Sequence, residues 1–296
     1  MYLNFCENTG GTEMKTRINT EKAWNSGRIV HRGSYISLIM KALIILTLLT
    51  IPLLTSGCTT NNKEDSITVL AAASLTEAFQ ELSHDFKAKY HIKVEPDFAG
   101  SNTLAIDIEH GAYADVYASA NEKYMTDLIK RGYVNKSIAF TRNKLVLVVP
   151  KTNPANITSV ADLRRNVKLV IANRGVPVGI YTRKALLNLD SIYGNGFANQ
   201  VLSHVVSEGI DVKGVLTKVV MDEADAGFVY SSDALTANGK VKVIELPENG
   251  GGVSPKYYIG ILTGSKNQKD ARKFINFILS PEGRKILKKY GFEAEK

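Results

Sequence analysis

Cysteine is scarce. Two in 296 residues are too few for a disulfide scaffold, and no CxxC pair occurs. The five histidines, His31, His84, His91, His110 and His204, never fall three or four apart, and there is no HExxH. A histidine-built metal centre is therefore not expected. Walker A, GxGxxG and GxSxG motifs are also absent, which removes the sequence-marked phosphate loops, dinucleotide turns and nucleophile elbows. Hydrophobic residues at 44% and charged residues at 22% exclude a disordered or collagen-like chain. The net charge of +8 is dispersed: six of the 37 Lys and Arg and three of the 29 Asp and Glu lie in residues 1–58, and the rest are spread along the chain. No basic stripe interleaved with aromatics is present, so nucleic acid is not an expected partner.

Long apolar runs are nearly missing too; the one that exists is Ala42 to Leu54, after Met40-Lys41 and before Thr55-Ser56-Gly57-Cys58. It is shorter than the roughly 17–25 residues a membrane span needs. A Met-Lys start, a short apolar run and small residues before a Cys describe a lipoprotein signal peptide over 40–57, with Cys58 as the lipidated residue. Thr55 stands where such signals usually carry Leu. The alternative is an uncleaved anchor that also uses Tyr35 to Met40. It would place Lys41 mid-span, at about 2.5–3.5 kcal/mol. Residues 1–39 are polar and aperiodic and hold the only Trp, Trp24. They are expected to lie upstream of a true start at Met40 and to be absent from the mature protein. Cys6 would go with them, which leaves no free thiol. Residues 58–65 read as a polar tether, and the mature protein is expected to be extracytoplasmic and lipid-anchored.

From Ser66 onward strand and helix alternate. Strands are expected at 67–71, 92–98, 114–118, 144–149, 167–172, 226–230, 241–246 and 257–262. Helices are expected at 74–90, from Ser101, and at 121–131, 159–165, 178–190, 212–221, 268–279 and 281–289. Such alternation implies a mostly parallel sheet covered on both faces. At least eight strands over about 230 residues fit two α/β lobes better than one sheet. The glycine-rich Asn249 to Gly252 is a natural crossing point between lobes.

Three helix starts stand out because each follows a strand and opens with small or hydroxyl residues: Ala71-Ala72-Ala73-Ser74, Ala99-Gly100-Ser101 and Val176-Pro177-Val178-Gly179. Ser74-x-x-Glu77 has the spacing of a capping box, so Ser74 could simply close its own helix. The three together carry a further meaning. A helix N-terminus offers unpaired N–H donors and about half a positive charge. Several aimed at one cleft bind an anion without Lys or Arg. Strand C-terminal ends are also where open α/β sheets bind ligands.

AAASLTEAF, FAGSNTLA, GAYADVYASAN, VPVGIYTRKAL and FVYSSDA, with the terminal SPEGRKILKKYGF, resemble in order the motifs of molybdate-binding proteins of ABC transporters. The resemblance spans Ser66 to Phe292. It implies an α/β type II periplasmic-binding-protein fold, with two α/β lobes joined by two crossover strands and the ligand cleft between them. One lobe would comprise 66–142 and 247–296, the other 143–246. It further implies that Ser74 and Ser101 meet the oxyanion through hydroxyl and N–H. Ala120, Val178 and Val212 would donate through backbone, and Tyr230 through its phenol. Val178 occupies a position that is often Ala in the family. A related tungstate-preferring group uses carboxylates, and VPVGIY lacks that acidic pattern. No cofactor is implied; the partners are molybdate or tungstate, an ABC permease and, through the lipid anchor, the membrane, with the protein itself a monomer.

Molybdate is a tetrahedral dianion whose hydration a rigid cage of neutral donors can replace. Sulfate has the same charge and shape but shorter bonds, so its oxygens would fall short of fixed donors. Molybdate and tungstate are too close in size to separate here. A receptor for sulfate or another tetrahedral oxyanion is the nearest rival. An enzyme of the hydroxymethylbilane-deaminase kind would need a cofactor-bearing Cys in the lobes, and none is there. A lipoprotein that senses or scaffolds without a ligand is the third.

Overall fold

The computed structural model describes residues 65–248 and 252–295. The expected signal peptide, Cys58 and most of the tether lie outside these residues, as does most of the glycine-rich crossing. Among the described residues eleven strands form two sheets. The first is built from β1 (Ser66–Ala72), β2 (Lys93–Ala99), β3 (Val116–Ser119), β4 (Val134–Arg142), β10 (Lys256–Leu262) and β11 (Glu293–Ala294), in the order β11-β4-β10-β3-β1-β2. The second holds β5 (Leu145–Pro150), β6 (Leu169–Ala172), β7 (Val205–Gly209), β8 (Ala226–Tyr230) and β9 (Val241–Glu245), in the order β7-β6-β8-β5-β9. The chain passes from the first sheet to the second after Arg142 and returns before Lys256.

The sheets are mixed, which corrects the mostly parallel expectation. β1 runs parallel to β2 and β3, and β6 parallel to β7 and β8. β10 is antiparallel to β3 and β4, and β5 antiparallel to β8 and β9. The reason is connectivity. β1, β3, β6 and β8 all end at the side where the lobes meet. A strand that brings the chain in from that side, β5 or β10, must run the other way.

The helices are α1 (Thr76–Tyr90), α2 (Ser101–Glu109), α3 (Glu122–Lys130), α4 (Pro177–Tyr193), α5 (Phe197–Leu202), α6 (Val212–Val220), α7 (Ser231–Thr236), α8 (Gln268–Leu279) and α9 (Pro281–Lys289). A 3-10 turn, Ala73–Leu75, precedes α1, and another, Val160–Arg164, stands where a helix over 159–165 was expected. Apolar faces decide the packing. Phe79 and Phe86 of α1 meet Phe274 of α8 edge to face, at centroid distances of 6.1 and 5.1 Å. α4 lies close over the end of β6 because residue 179 is glycine. A Cβ there would fall 2.1 Å from the Asn173 carbonyl and 2.4 Å from that of Ala172. That close approach holds the α4 N-terminus at the strand end.

Candidate oxyanion site

Where the two sheets face each other, the ends of the strands and the starts of the helices line a small cleft of about 210 Å³, the solvent at its open side included. All six residues expected at the site line it: Ser74, Ser101, Ala120, Val178, Val212 and Tyr230. The remaining lining is Ala72, Ala73, Gly100, Val176, Pro177 and Asp211, so no cation lines the cavity. Four helical starts converge here, one more than the three noted in the sequence. They are the 3-10 turn at Ala73, α2 at Ser101, α4 at Pro177 and α6 at Val212. The first amides of each helix have no partner within the helix and face an anion favourably. Small or apolar side chains at these positions let the backbone itself form the wall.

The side chains at the site do not all behave as expected. Ser74 and Glu77 form no capping box: α1 begins after Leu75 with no side-chain cap. The intervening 3-10 turn rotates Ser74 inward, and its Oγ lies 2.8 Å from Tyr257 Oη. Nor does Ser101 cap α2, since Gly100 holds that position. Instead Ser101 Oγ accepts the Ala120 N–H at 3.0 Å, while Tyr117 Oη donates to the Ser101 carbonyl at 2.7 Å. The Ala120 amide, expected to face the anion directly, is bonded to Ser101 Oγ here, and Ala120 still lines the cleft. Asp211 does cap its helix, accepting from Gly214 N at 2.7 Å, which turns its carboxylate to its own backbone. Ser74 and Ser101 are both buried.

Tyr230 is the most informative residue. It is 1% exposed, and its hydroxyl has no hydrogen-bond partner among the described residues. Burial pushes the phenol well above its ordinary pKa, so it stays protonated and available as a donor. A buried orphan hydroxyl on a cavity wall marks a place where a ligand acceptor completes the structure.

Beside this wall lies a charged cluster that the sequence reading passed over. Lys213, next to Val212, places its ammonium 2.8 Å from both oxygens of Glu77 on α1 and 3.2 Å from Asp233 Oδ1 on α7. Glu77 belongs to the first sheet's lobe; Lys213 and Asp233 belong to the second's, so the bridge spans the cleft. The Asp233 carboxylate is fully buried and receives no well-directed hydrogen bond. Burial raises its pKa to about 6, against the opposing pull of Lys213. Tyr124 Oη adds a second link across the cleft by donating to the Gly175 carbonyl. Asp233 had a signal, an acid within the FVYSSDA motif beside Tyr230. The Lys213–Glu77 pairing joins residues 136 apart and had none. Among the described residues no cluster of potential metal ligands occurs, and no helix is long and apolar enough to cross a membrane.

Residues 67–293 match the family described as bacterial extracellular solute-binding protein. The molybdate-binding protein ModA of Mycobacterium tuberculosis is 38% identical over 230 residues, covering 77% of this chain and 84% of that protein. A putative ABC transporter substrate-binding lipoprotein of Bacillus subtilis, YvgL, is 32% identical over 262 residues, 85% of this chain and 98% of that one. Among solved structures, the substrate-binding domain of a putative molybdenum ABC transporter from Clostridium difficile superposes with a TM-score of 0.60 at 30% identity. It covers 78% of this chain and 99% of that domain.

Proposed function

Because this chain belongs to the family of bacterial extracellular solute-binding proteins, we propose that it captures molybdate or tungstate outside the cytoplasm and delivers it to the permease of an ABC transporter. One observation carries the reading: six residues from six separate stretches of sequence line one cleft that, among the described residues, holds no cation and a single phenol, Tyr230, whose hydroxyl has no partner. Relatives named for molybdate support it. Ser74, Ser101 and Tyr230 serve as hydroxyl donors, and Val178 and Val212 offer helix-start amides. The family is one of solute-binding transport proteins, and no reaction is assigned to the cleft. Lipidation at Cys58 belongs to the same reading. It is supported by the signal-like residues 40–57 and by the lipoprotein relative, whose match covers 85% of this chain. The protein acts as a monomer in this account.

Thermal denaturation with added anions tests it. A ligand at 100 times its dissociation constant stabilises the native state by about 2.7 kcal/mol. At about 2–4 °C per kcal/mol for a domain of this size, that raises Tm by about 5–10 °C. Molybdate and tungstate are expected to give this shift, and sulfate at equal concentration a far smaller one. An equal shift with sulfate would make this a general oxyanion receptor, and no shift with any of them would end the oxyanion reading.

A further inference from the structure

Two cavity hydroxyls, those of Ser74 and Ser101, have protein partners, and those partners decide where their protons point. Ser101 Oγ accepts from the Ala120 amide, so its own proton is free. For Ser74 the partner is Tyr257 Oη, and either oxygen could be the donor. Asn143 resolves the ambiguity. Lys144 N–H donates to Asn143 Oδ1 at 2.9 Å, and a backbone amide can only donate, so that side-chain atom is the carbonyl oxygen. Ser231 Oγ also donates to it, at 3.0 Å. The amide nitrogen therefore faces the other way, 2.8 Å from Ser232 Oγ and 3.3 Å from Tyr257 Oη, and donates to both. An amide nitrogen cannot accept, so of the two partners of Tyr257 only Ser74 Oγ can take its proton. The Ser74 proton is then left for the cavity that the residue lines. Ser74, Asn143, Tyr257 and Ser232 are all 3% exposed or less, so water does not compete for these bonds.

We propose that Tyr257 is a positioning residue for anion capture: relayed from Asn143, its hydroxyl makes Ser74 a pure donor toward the cavity. Asn143 sits between β4 and β5, where the chain crosses from one sheet to the other, and Ser231 and Ser232 open α7 in the second lobe. The donor orientation at Ser74 is thus tied to the crossing segment. Hydrogen bonds relayed in series also polarise one another, which strengthens the last donor. The proposal rests on the oxyanion reading above and gives one of its serines a mechanism.

The test is a double-mutant cycle read by calorimetry with molybdate. Tyr257→Phe keeps the ring contacts with Phe140, Tyr230 and Phe292, at 6.4, 6.0 and 5.5 Å, and leaves Asn143 bonded to Ser232. Affinity is expected to fall about 3- to 10-fold. In a Ser74→Ala background the same change is expected to have no further effect, whereas with Ser101→Ala the two fold-changes should multiply. Multiplication with both serines would mean that Tyr257 only supports the cleft, and would overturn the proposal. A second measurement needs neither a variant nor a ligand. In tyrosine-labelled wild-type protein, the buried Tyr257 hydroxyl proton is expected to show NMR cross-peaks to the Ser74 β-protons. Cross-peaks to Ser232 instead would overturn the assignment. If wild type fails to bind molybdate, the functional reading falls, and the Tyr257 assignment is still decided by that proton.

Discussion

Tyr230→Phe is expected to make the anion-free protein more stable and to weaken molybdate binding by about tenfold to a hundredfold. The two effects share one cause. The Tyr230 hydroxyl is buried without a partner among the described residues, and an unsatisfied buried polar group costs about 1–3 kcal/mol. Phenylalanine removes that cost and keeps the edge-on contact with Tyr257, whose ring centroid lies 6.0 Å away. A hydrogen bond to a charged acceptor contributes about 1.5–3 kcal/mol, and each 1.4 kcal/mol is tenfold in affinity. Urea denaturation without anion and calorimetry with molybdate read the two sides separately. A variant that is less stable yet binds normally would mean that the hydroxyl has a structural partner and no role toward a ligand.

Lys213→Ala is expected to destabilise the protein by about 3–5 kcal/mol at neutral pH, the cost of leaving a buried charge without its partner. The charge is Asp233, fully buried, whose cation is 3.2 Å away. The pH dependence gives the argument its sign. The Asp233 pKa is raised from its ordinary 3.8 to about 6 by burial. Between those values the folded state therefore holds the proton more tightly than the unfolded one. Stability from this group rises as pH falls from about 6 toward 4, and is lower and flat above. Without Lys213 the pKa rises further, so the loss should shrink on acidification, starting at a higher pH than in wild type. Asp233→Asn in the same background should recover most of the stability at neutral pH, because the orphaned charge is gone. Chemical denaturation of the three proteins at pH 7.5 and 5.5 checks this. A loss that is the same at both pH values and unrelieved by Asp233→Asn would place the effect in the Lys213–Glu77 bridge alone.

How much could be read beforehand differs from element to element. Of the six wall residues, Ser74, Ser101 and Val178 sit in a local signature, a strand end with small residues running into a helix, whereas Ala120, Val212 and Tyr230 followed only from the resemblance to molybdate-binding proteins. Which serine caps a helix was not legible. Ser74-x-x-Glu77 has the spacing of a capping box, but the 3-10 turn at Ala73–Leu75 shifts the helix start past it. Glu77 then turns to Lys213. Strand β4 went unread because only Val134, Phe140 and Thr141 of its nine residues are buried, so neither alternation nor an apolar run appears. The direction of β5 and β10 depends on which side the chain enters from, a property of topology. Tyr257 meets Ser74 across 183 residues and Asn143 across 114. Nothing in either neighbourhood signals those partners.

The central claim is that a cage of neutral N–H and O–H donors holds an intact tetrahedral oxyanion at the meeting point of four helical starts. A crystal structure with tungstate, read at the tungsten absorption edge, tests it most directly. The account predicts a single strong anomalous peak inside the cavity. Its oxygens should lie within hydrogen-bond distance of the Ser74, Ser101 and Tyr230 hydroxyls and the Val178 and Val212 amides, with no protein atom bonded to the metal. A peak at another place on the protein, or a metal ligated directly by side chains, would contradict it.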